Sequence, residues 1–506
     1  MNLANAPFFK RDEDYINYFH AISLHEVSHY EIIPYDGLMH AKLLKAAMKY
    51  VNQHFAAVIV NVFADLVVDS LLFQKYPDLM VWELKQTYHH ISSKPDYKIS
   101  DFSSFLFNCY ERMWEIELGE NKKKEVLSIS AKVVNTIKEE MEDEGTWEKK
   151  VTRIASYMKD LISDTFTLIG PSGQCNSGCK KKKTPGGGQV TVEVPEDVLE
   201  IMDNPFENKN GDNLKQDNED ERRRKAEEFA RDTPYSEFGA PANQAGLLKD
   251  GSPLATWYRG LAKNLIEIRI FEEKPGGQVP VNIEPWRIGD PMEELDIVQT
   301  LLTSPVIIPN ITTRKWSYRE GPGHLVEQQL PDLLLVLDSS GSMGWNIYGS
   351  NDKTRGPYHI ALVASFAALH FAASRGAKFS IINFSNRADT CNWTADFEIA
   401  EKTLLRYQGG GTHLPIDSIK KQCNLAERNA LVFVITDFGI YNWADTKDTL
   451  LELANRGHKI VGFFIGSASI PHKRFEDLLD KVIFYPIRNT KDLIHLVIEE
   501  VKKYYT

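Results

Sequence analysis

The chain has 506 residues, enough for about three domains by length alone. Its 42% hydrophobic and 25% charged residues are ordinary for a soluble globular protein, and a net charge of −11 speaks against general nucleic-acid binding by the whole chain. Five cysteines at this length make no disulfide framework, and the first dozen residues lack the basic start and apolar core of a secretory leader, so a cytoplasmic protein is expected.

Residues 1–169 read as an all-α domain. Tyr15, Phe19, Ile22 and Glu26 share one helical face, and Pro34 to Gly37 form a turn. Helices are predicted over 38–52 and 55–73, then near 79–90, 101–118, 122–143 and 147–168. The helix over 55–73 is the most apolar stretch, but Asn61, Asp65 and Asp69 interrupt it, and two carboxylates in lipid are costly, so no membrane span is expected. Residues 170–250 change to Gly, Lys, Asn, Asp and Glu, a composition with too little apolar surface to offset its ordering entropy. They are predicted to be a flexible linker with one solvated helix at 218–231. Cys175 and Cys179 sit in it as two free thiols, or as a shared metal or redox pair, beside the Lys180–Lys183 run. Residues 251–330 regain structure: a helix or strand from Leu261 to Ile270, a loop from Trp286 to Pro291 and a short helix from Leu295 to Leu302. They are expected to pack on the C-terminal region.

Residues 331–506 alternate strands (332–337, 378–384, 430–436, 459–465, 482–486) with helices (near 357–374, 396–406, 413–425, 444–456, 472–479, 490–503). Such alternation predicts a mostly parallel sheet covered on both faces. Its first strand, Leu333 to Leu337, is an unbroken apolar run that stops at Asp338, with Ser340 and Ser342 at alternate positions after it. One carboxylate and two hydroxyls thus stand at the carboxyl end of a strand, where open α/β sheets bind ligands. Small hard cations take such oxygens; the alternative is a plain strand-to-helix loop whose Ser and Asp cap the next helix. Gly409-Gly410-Gly411-Thr412 offers a further hydroxyl, and a second apolar strand, from Ala430, ends in Asp437.

Asp-x-Ser-x-Ser, then Thr412, then Asp437 resembles the metal-ion-dependent adhesion site of von Willebrand factor A (VWA) domains, matching at all five positions. The resemblance covers about a third of the chain. It implies a Rossmann-like α/β domain with a short antiparallel edge strand near 389–393, and a bound Mg²⁺. By it, Ser340 and Ser342 ligate the ion directly, Thr412 directly or through water, and Asp338 and Asp437 mainly through water. An acidic side chain of a protein partner takes the sixth position.

Near the N-terminus, His25-Glu26-Val27-Ser28-His29 is a His-Glu-x-x-His motif. On a helix the two imidazoles lie one turn apart on one face, where they can share a Zn²⁺ with Glu26 poised to take a proton from its water. A chance match in a chain of this composition has a probability of roughly 0.03, so a third ligand is needed to support it. Asp65 is the first choice. Asn61, Asp65 and Asp69 are spaced by four in an apolar helix, where unsatisfied polar groups would be costly. Asn61, being neutral, is a poor ligand; Asp65 or Asp69 could instead orient an imidazole. His40 and His54 are alternatives. The His-Glu-x-x-His helix followed by Asn61-Val-Phe-Ala-Asp65 resembles the metallopeptidase-like domain fused to VWA-like domains in a prokaryotic family, over roughly residues 10–80. That resemblance implies zinc and a MoxR-type AAA+ ATPase as partner. In it, the ion polarises a scissile carbonyl and Glu26 serves as general base. Two departures stand out: no strand precedes the motif helix, and the glutamate of the zincin Glu-x-x-x-Asp helix is Asn61 here.

Two readings are open. In one, a zinc-dependent peptidase-like domain is joined to a Mg²⁺-dependent recognition domain. In the other, the chain is a non-enzymatic adaptor, or a chelatase-type subunit in cofactor maturation, with a structural N-terminal metal or none.

Overall fold

The computed structural model describes residues 7–33, 36–94, 99–118, 123–169, 182–186, 190–202, 218–248, 252–270, 278–320, 331–437, 439–465, 478, 481–487 and 490–505. Cys175, Cys179, Pro34 and Tyr35 of the expected turn and, apart from residue 478, the helix expected at 472–479 lie outside them. The chain forms two compact units. One comprises residues 1–261 with 346–355; the other comprises 262–345 with 356–506.

The first unit opens with seven helices, α1 (Asp12–Glu31), α2 (Gly37–Ala47), α3 (Gln53–Lys75), α4 (Pro77–Ser92), α5 (Asp101–Trp114), α6 (Lys124–Lys138) and α7 (Glu144–Thr165). α3 is its axis. The Asn52 side chain accepts from the backbone N–H groups of His54 and Phe55, both at 3.0 Å, which satisfies two of the orphan donors at the helix start. Val58, Ile59, Val62, Phe63, Leu66 and Val67 are then almost completely buried, against α1, α2, α4, α5 and α7. Each such side chain contributes about 1.5–3 kcal/mol on leaving water, so the helix is held by packing on nearly every side. It and a later helix, Pro357–Ser374, are long and apolar enough to cross a membrane, yet 78% of each apolar window is buried inside the fold. α5 ends earlier than expected because Glu115 turns left-handed, with φ of 56°.

After α7 come β1 (Thr167–Ile169), β2 (Lys182–Gly186) and β3 (Val190–Val194), an antiparallel sheet in the order β1-β3-β2. Then come α8 (Glu196–Ile201), α9 (Glu219–Arg231), α10 (Tyr235–Gln244) and α11 (Pro253–Ile270). The linker expectation fails over 219–248. The helix foreseen at 218–231 is present, but it is packed rather than solvated: Ala226, Phe229, Ala230 and Phe238 are buried, and the Phe229 and Phe238 rings lie 5.8 Å apart. α9 and α10 pack on α2. A side chain on Gly260 of α11 would meet the Glu227 carbonyl at 2.4 Å, so only glycine allows this approach to α9. Average composition hid a narrow apolar stripe inside a run of charges. The segment Asn346–Arg355 completes the unit: the Arg355 guanidinium lies 5.0 Å over the Trp257 ring, and Tyr348 lies against Tyr235.

The second unit begins at Ala262, within α11, and continues with the ribbon β4 (Gln278–Pro285) and β5 (Arg314–Glu320), joined through the short α12 (Ile297–Thr303). Neither strand was foreseen. Its main sheet contains β6 (Leu333–Asp338), β7 (Phe379–Phe384), β8 (Ala388–Thr394), β9 (Leu431–Thr436), β10 (Lys459–Ile465) and β11 (Val482–Ile487), in the order β11-β10-β9-β6-β7-β8. All pairings are parallel except β7–β8, so the expected antiparallel edge strand is present. The remaining helices are α13 (Asp352–Arg355, in the segment counted with the first unit), α14 (Pro357–Ser374), α15 (Phe397–Leu404), α16 (Ile416–Leu425), α17 (Trp443–Asn455) and α18 (Thr490–Tyr505). Leu334 and Val336 of β6 share a core with Leu414, Ile419, Trp443 and Leu450. Leu333, Leu335 and Leu337, facing the other way, are equally buried, and α14 packs on that strand. The helical first part, apart from its small β1-β3-β2 sheet, and the α/β last part agree with the fold class expected from the sequence.

If α9 and α10 are integral to the first unit, Phe238→Ala should lower its stability by about 3–5 kcal/mol, seen as an earlier thermal transition by circular dichroism. An unshifted melt would return the segment to the status of a linker.

Candidate metal centres

In the first unit, α1 presents His25 and His29 one turn apart, and α3 presents Asp65 and Asp69 one turn apart, with the two helices packed together. The His25 and His29 Nε2 atoms face each other at 3.1 Å. Asp65 Oδ1 lies 3.2 Å from His29 Nε2 and 3.8 Å from His25 Nε2. The outer nitrogens are also held: His25 Nδ1 lies 2.6 Å from Asp69 Oδ1, and His29 Nδ1 lies 2.7 Å from the Ile33 carbonyl oxygen. Both of those partners only accept, so each imidazole, when neutral, carries its proton on Nδ1 and turns a lone pair inward.

Two lone pairs and a carboxylate oxygen this close repel unless something positive lies among them. A tetrahedral ion with bonds of about 2.0–2.1 Å needs ligand atoms ~3.3 Å apart, and the three separations bracket that value. A proton is the alternative. Burial alone would lower the His25 imidazole, but Asp69, with Asp65 and Glu26 near it, outweighs burial and raises it to about 10. Among the described residues, His25, His29 and Asp65 are the group of His, Cys, Asp and Glu ligand atoms close enough to hold one ion, all within 4.8 Å. Asn61 sits half-buried one turn before Asp65. His40 and His54 lie outside the group: burial holds the His40 imidazole down at about 4, and His54 stands at the start of α3. The acid-x-x-x-acid spacing missing at Asn61 is met one turn later, by Asp65 and Asp69.

Two surrounding residues were not foreseen. The Tyr110 hydroxyl of α5 donates to Asp69 Oδ2 at 2.7 Å, so Asp69 is gripped from both sides. Glu83 of α4 is pushed up to about 7, chiefly by burial, against a hydrogen bond from Thr87. No sequence motif links Tyr110 or Glu83 to the histidines; only the packing of α4 and α5 beside α3 brings them near.

In the second unit, β6 and β9 are neighbours in register, Leu337 opposite Ile435, so Asp338 and Asp437 stand at the same end of adjacent strands. The chain leaves β6 toward β7 on one side while β9 lies on the other, which makes this a topological switch point. Asp338 is fully buried; its Oδ1 accepts from the Ser340 N–H at 2.8 Å and its Oδ2 from the Thr436 hydroxyl. Ser340 Oγ and Ser342 Oγ are 3.2 Å apart. The Gly409–Gly411 loop is clasped to this one by Gly341 N–H to the Gly410 carbonyl at 2.7 Å and Gly409 N–H to the Ser339 carbonyl at 2.8 Å. The Tyr441 N–H donates to the Thr412 carbonyl at 3.0 Å, tying in the loop after β9. A methyl built on Gly439 would lie 3.6 Å from Asp437 Oδ1 and 3.7 Å from Thr412 Oγ1, so those two oxygens approach one point. Burial raises the Asp338 carboxyl, Thr436 and Ser340 work against this, and the Asp437 charge adds to it. Thr436, which anchors Asp338, carried no distinguishing signal in its strand.

No protein-family model matches the chain, and no curated protein matches it. Among solved structures, the pilus adhesin SpaC of Lactobacillus rhamnosus GG is 12% identical over 36% of this chain and 32% of its own, with a TM-score of 0.30. An aerotolerance-related membrane protein of Bacteroides fragilis NCTC 9343 is 16% identical over 34% of this chain and 99% of that one, with a TM-score of 0.26. BatB of Bacteroides thetaiotaomicron is 15% identical over the same shares, at 0.26. The chain thus spans about a third of the adhesin's length, and likenesses this slight carry no argument about function.

The proton alternative has a pH signature. A group raised from 6.5 to about 10 on folding contributes stability that is fully present below 6.5 and lost as pH rises through about 10. Metal-stripped protein should therefore melt at progressively lower temperature across that window, and His25→Gln should flatten the dependence. A wild-type melt indifferent to pH between 6.5 and 10 would contradict a proton shared by the two imidazoles.

Proposed function

We propose that this protein carries two metal centres with different tasks. The first, on α1 and α3, holds Zn²⁺ through His25, His29 and Asp65. The second, at the ends of β6 and β9, holds Mg²⁺ through Ser340, Ser342, Thr412, Asp338 and Asp437 and captures an acidic side chain of a protein partner, as the VWA resemblance implies. The observation that carries the reading is the convergence of two Nε2 atoms and one carboxylate oxygen within 4.8 Å. Imidazole with carboxylate suits zinc, and three protein ligands rather than four is the make-up of a catalytic site.

Bound there, zinc would supply Lewis acidity toward a carbonyl and an acidified water. The chain's residues supply the rest. Asp69 and the Ile33 carbonyl hold the Nδ1 protons and so aim both Nε2 lone pairs inward. Tyr110 holds Asp69. Glu26, next to His25 on α1, is the general base, taking a proton and returning it to the leaving amine. In the second centre, the clasped loops keep the oxygens of three segments in place before a partner arrives, which limits the ordering cost of binding. The partner suggested by the family resemblance is a MoxR-type AAA+ ATPase.

The adaptor reading, with a structural N-terminal ion or none, is favoured by Asn61, which stands where the zincin helix carries a glutamate. Glu26 separates the two readings. Glu26→Gln should keep zinc at one equivalent by elemental analysis while abolishing cleavage of a peptide library, and His25→Ala should lose the zinc. Cleavage that survives Glu26→Gln would remove the enzymatic reading, and wild-type protein free of zinc would remove the metal site.

At the second centre, with Mn²⁺ as a spectroscopic stand-in for Mg²⁺, Asp338→Ala should abolish the bound-ion electron paramagnetic resonance signal and leave the circular dichroism unchanged. Undiminished Mn²⁺ binding by the variant would count against the ligand set.

A further inference from the structure

The ribbon of β4 and β5 has its connecting helix turned outward. The polar side of α12 faces its own module: Thr300 is buried and its Oγ1 accepts from the Arg314 N–H at 2.9 Å, while the Trp316 indole donates to Asp296 Oδ2 at 2.9 Å. The apolar side faces solvent, with Val298 66% and Leu302 75% exposed. The loop after α12 is firmly built. Thr312 Oγ1 donates to the Val306 carbonyl at 2.9 Å and accepts from the Ile308 N–H at 2.7 Å, yet Val306, Ile307 and Ile311 stay exposed.

Eight exposed aliphatic side chains lie between residues 297 and 311, and that stretch contains no Lys, Arg, Asp or Glu. Together they expose on the order of 800 Å², the share each partner gives to a standard protein interface, whereas the largest apolar patch of a typical monomer is about 300–600 Å². Such a face does not contribute to folding its own module and is costly to leave in water.

We propose that this face, α12 with the loop to Ile311, is where two copies of the chain meet. The exposed area is what a stable dimer needs. An uncharged face needs an uncharged counterpart, and a second copy supplies one in isologous pairing. Its flanks carry both signs, Arg287, Arg314 and Lys315 with Asp290, Glu293 and Glu294, so the rims of two copies can complement each other. With these bases balanced by acids, and Lys315 bridged to Asp290 and Glu294, the flanks offer no net positive charge to an anionic lipid surface, which draws basic segments.

The test uses the full chain. Sedimentation velocity between 1 and 100 μM should show the mass rising from 57.6 kDa toward twice that value. A V298E/L302E double variant should stay at 57.6 kDa with an unchanged melt, both positions being exposed. If the double variant misfolds, the milder Leu302→Gln should raise the dimer dissociation constant at least tenfold. A wild-type chain that stays monomeric at 100 μM overturns the proposal, as does a dimer that survives these substitutions. Monomeric wild type that pellets with phosphatidylserine vesicles overturns it in favour of a membrane.

Discussion

Two neutral imidazoles and a carboxylate held within 4.8 Å of one another repel through their lone pairs, a repulsion that a positive charge among them would relieve. Much of the first unit serves to press them. α3 is buried on almost every side, so its polar stripe cannot turn away from α1. Asp69 and Ile33 occupy the outer nitrogens, so neither ring can rotate its lone pair out without leaving a polar group unpaired. Tyr110 extends the restraint to α5. Held this way, the three groups are disposed toward a positive charge, a cation on the proposed reading or else a proton.

The second unit meets the same constraint by different means. Its acids stand at the ends of parallel strands, and backbone hydrogen bonds between glycine-rich loops draw hydroxyls around them. On the proposed reading, the helical side chains would suit a borderline ion that accepts nitrogen. The loop oxygens, on the same reading, would suit a hard ion. The two centres therefore differ in ligand chemistry as well as in fold.

Periodicity made most of this visible beforehand. The four-residue spacing of Asn61, Asp65 and Asp69 in an apolar helix could be read as a polar site, and the helix pairing explains why Asp65 faces both histidines. Asp338, Ser340, Ser342, Thr412 and Asp437 were legible because strand ends and glycine loops leave plain marks. What escaped was set by tertiary packing. Tyr110 and Glu83 sit on helices whose own sequences say nothing about α1. The packing of α9 was hidden because a charged surface outweighs a three-residue apolar stripe in any average, and α10, with its Gly and Pro, read as linker. The β4–β5 ribbon was missed because its apolar residues point outward, against the rule by which strands and helices are read from a sequence.

The segment Asn346–Arg355 has a consequence for how the molecule can be taken apart. It begins four residues after Ser342, departs and returns through Gly344 and Gly356, whose φ values are +50° and +89°, and is counted with the helical unit. The backbone therefore passes between the units three times, not once. No single peptide bond separates them: a fragment starting at residue 331 would carry away Arg355 and Tyr348 and leave Trp257 and Tyr235 bare. The two halves are interleaved in sequence, so they are expected to be inherited, expressed and degraded as one object.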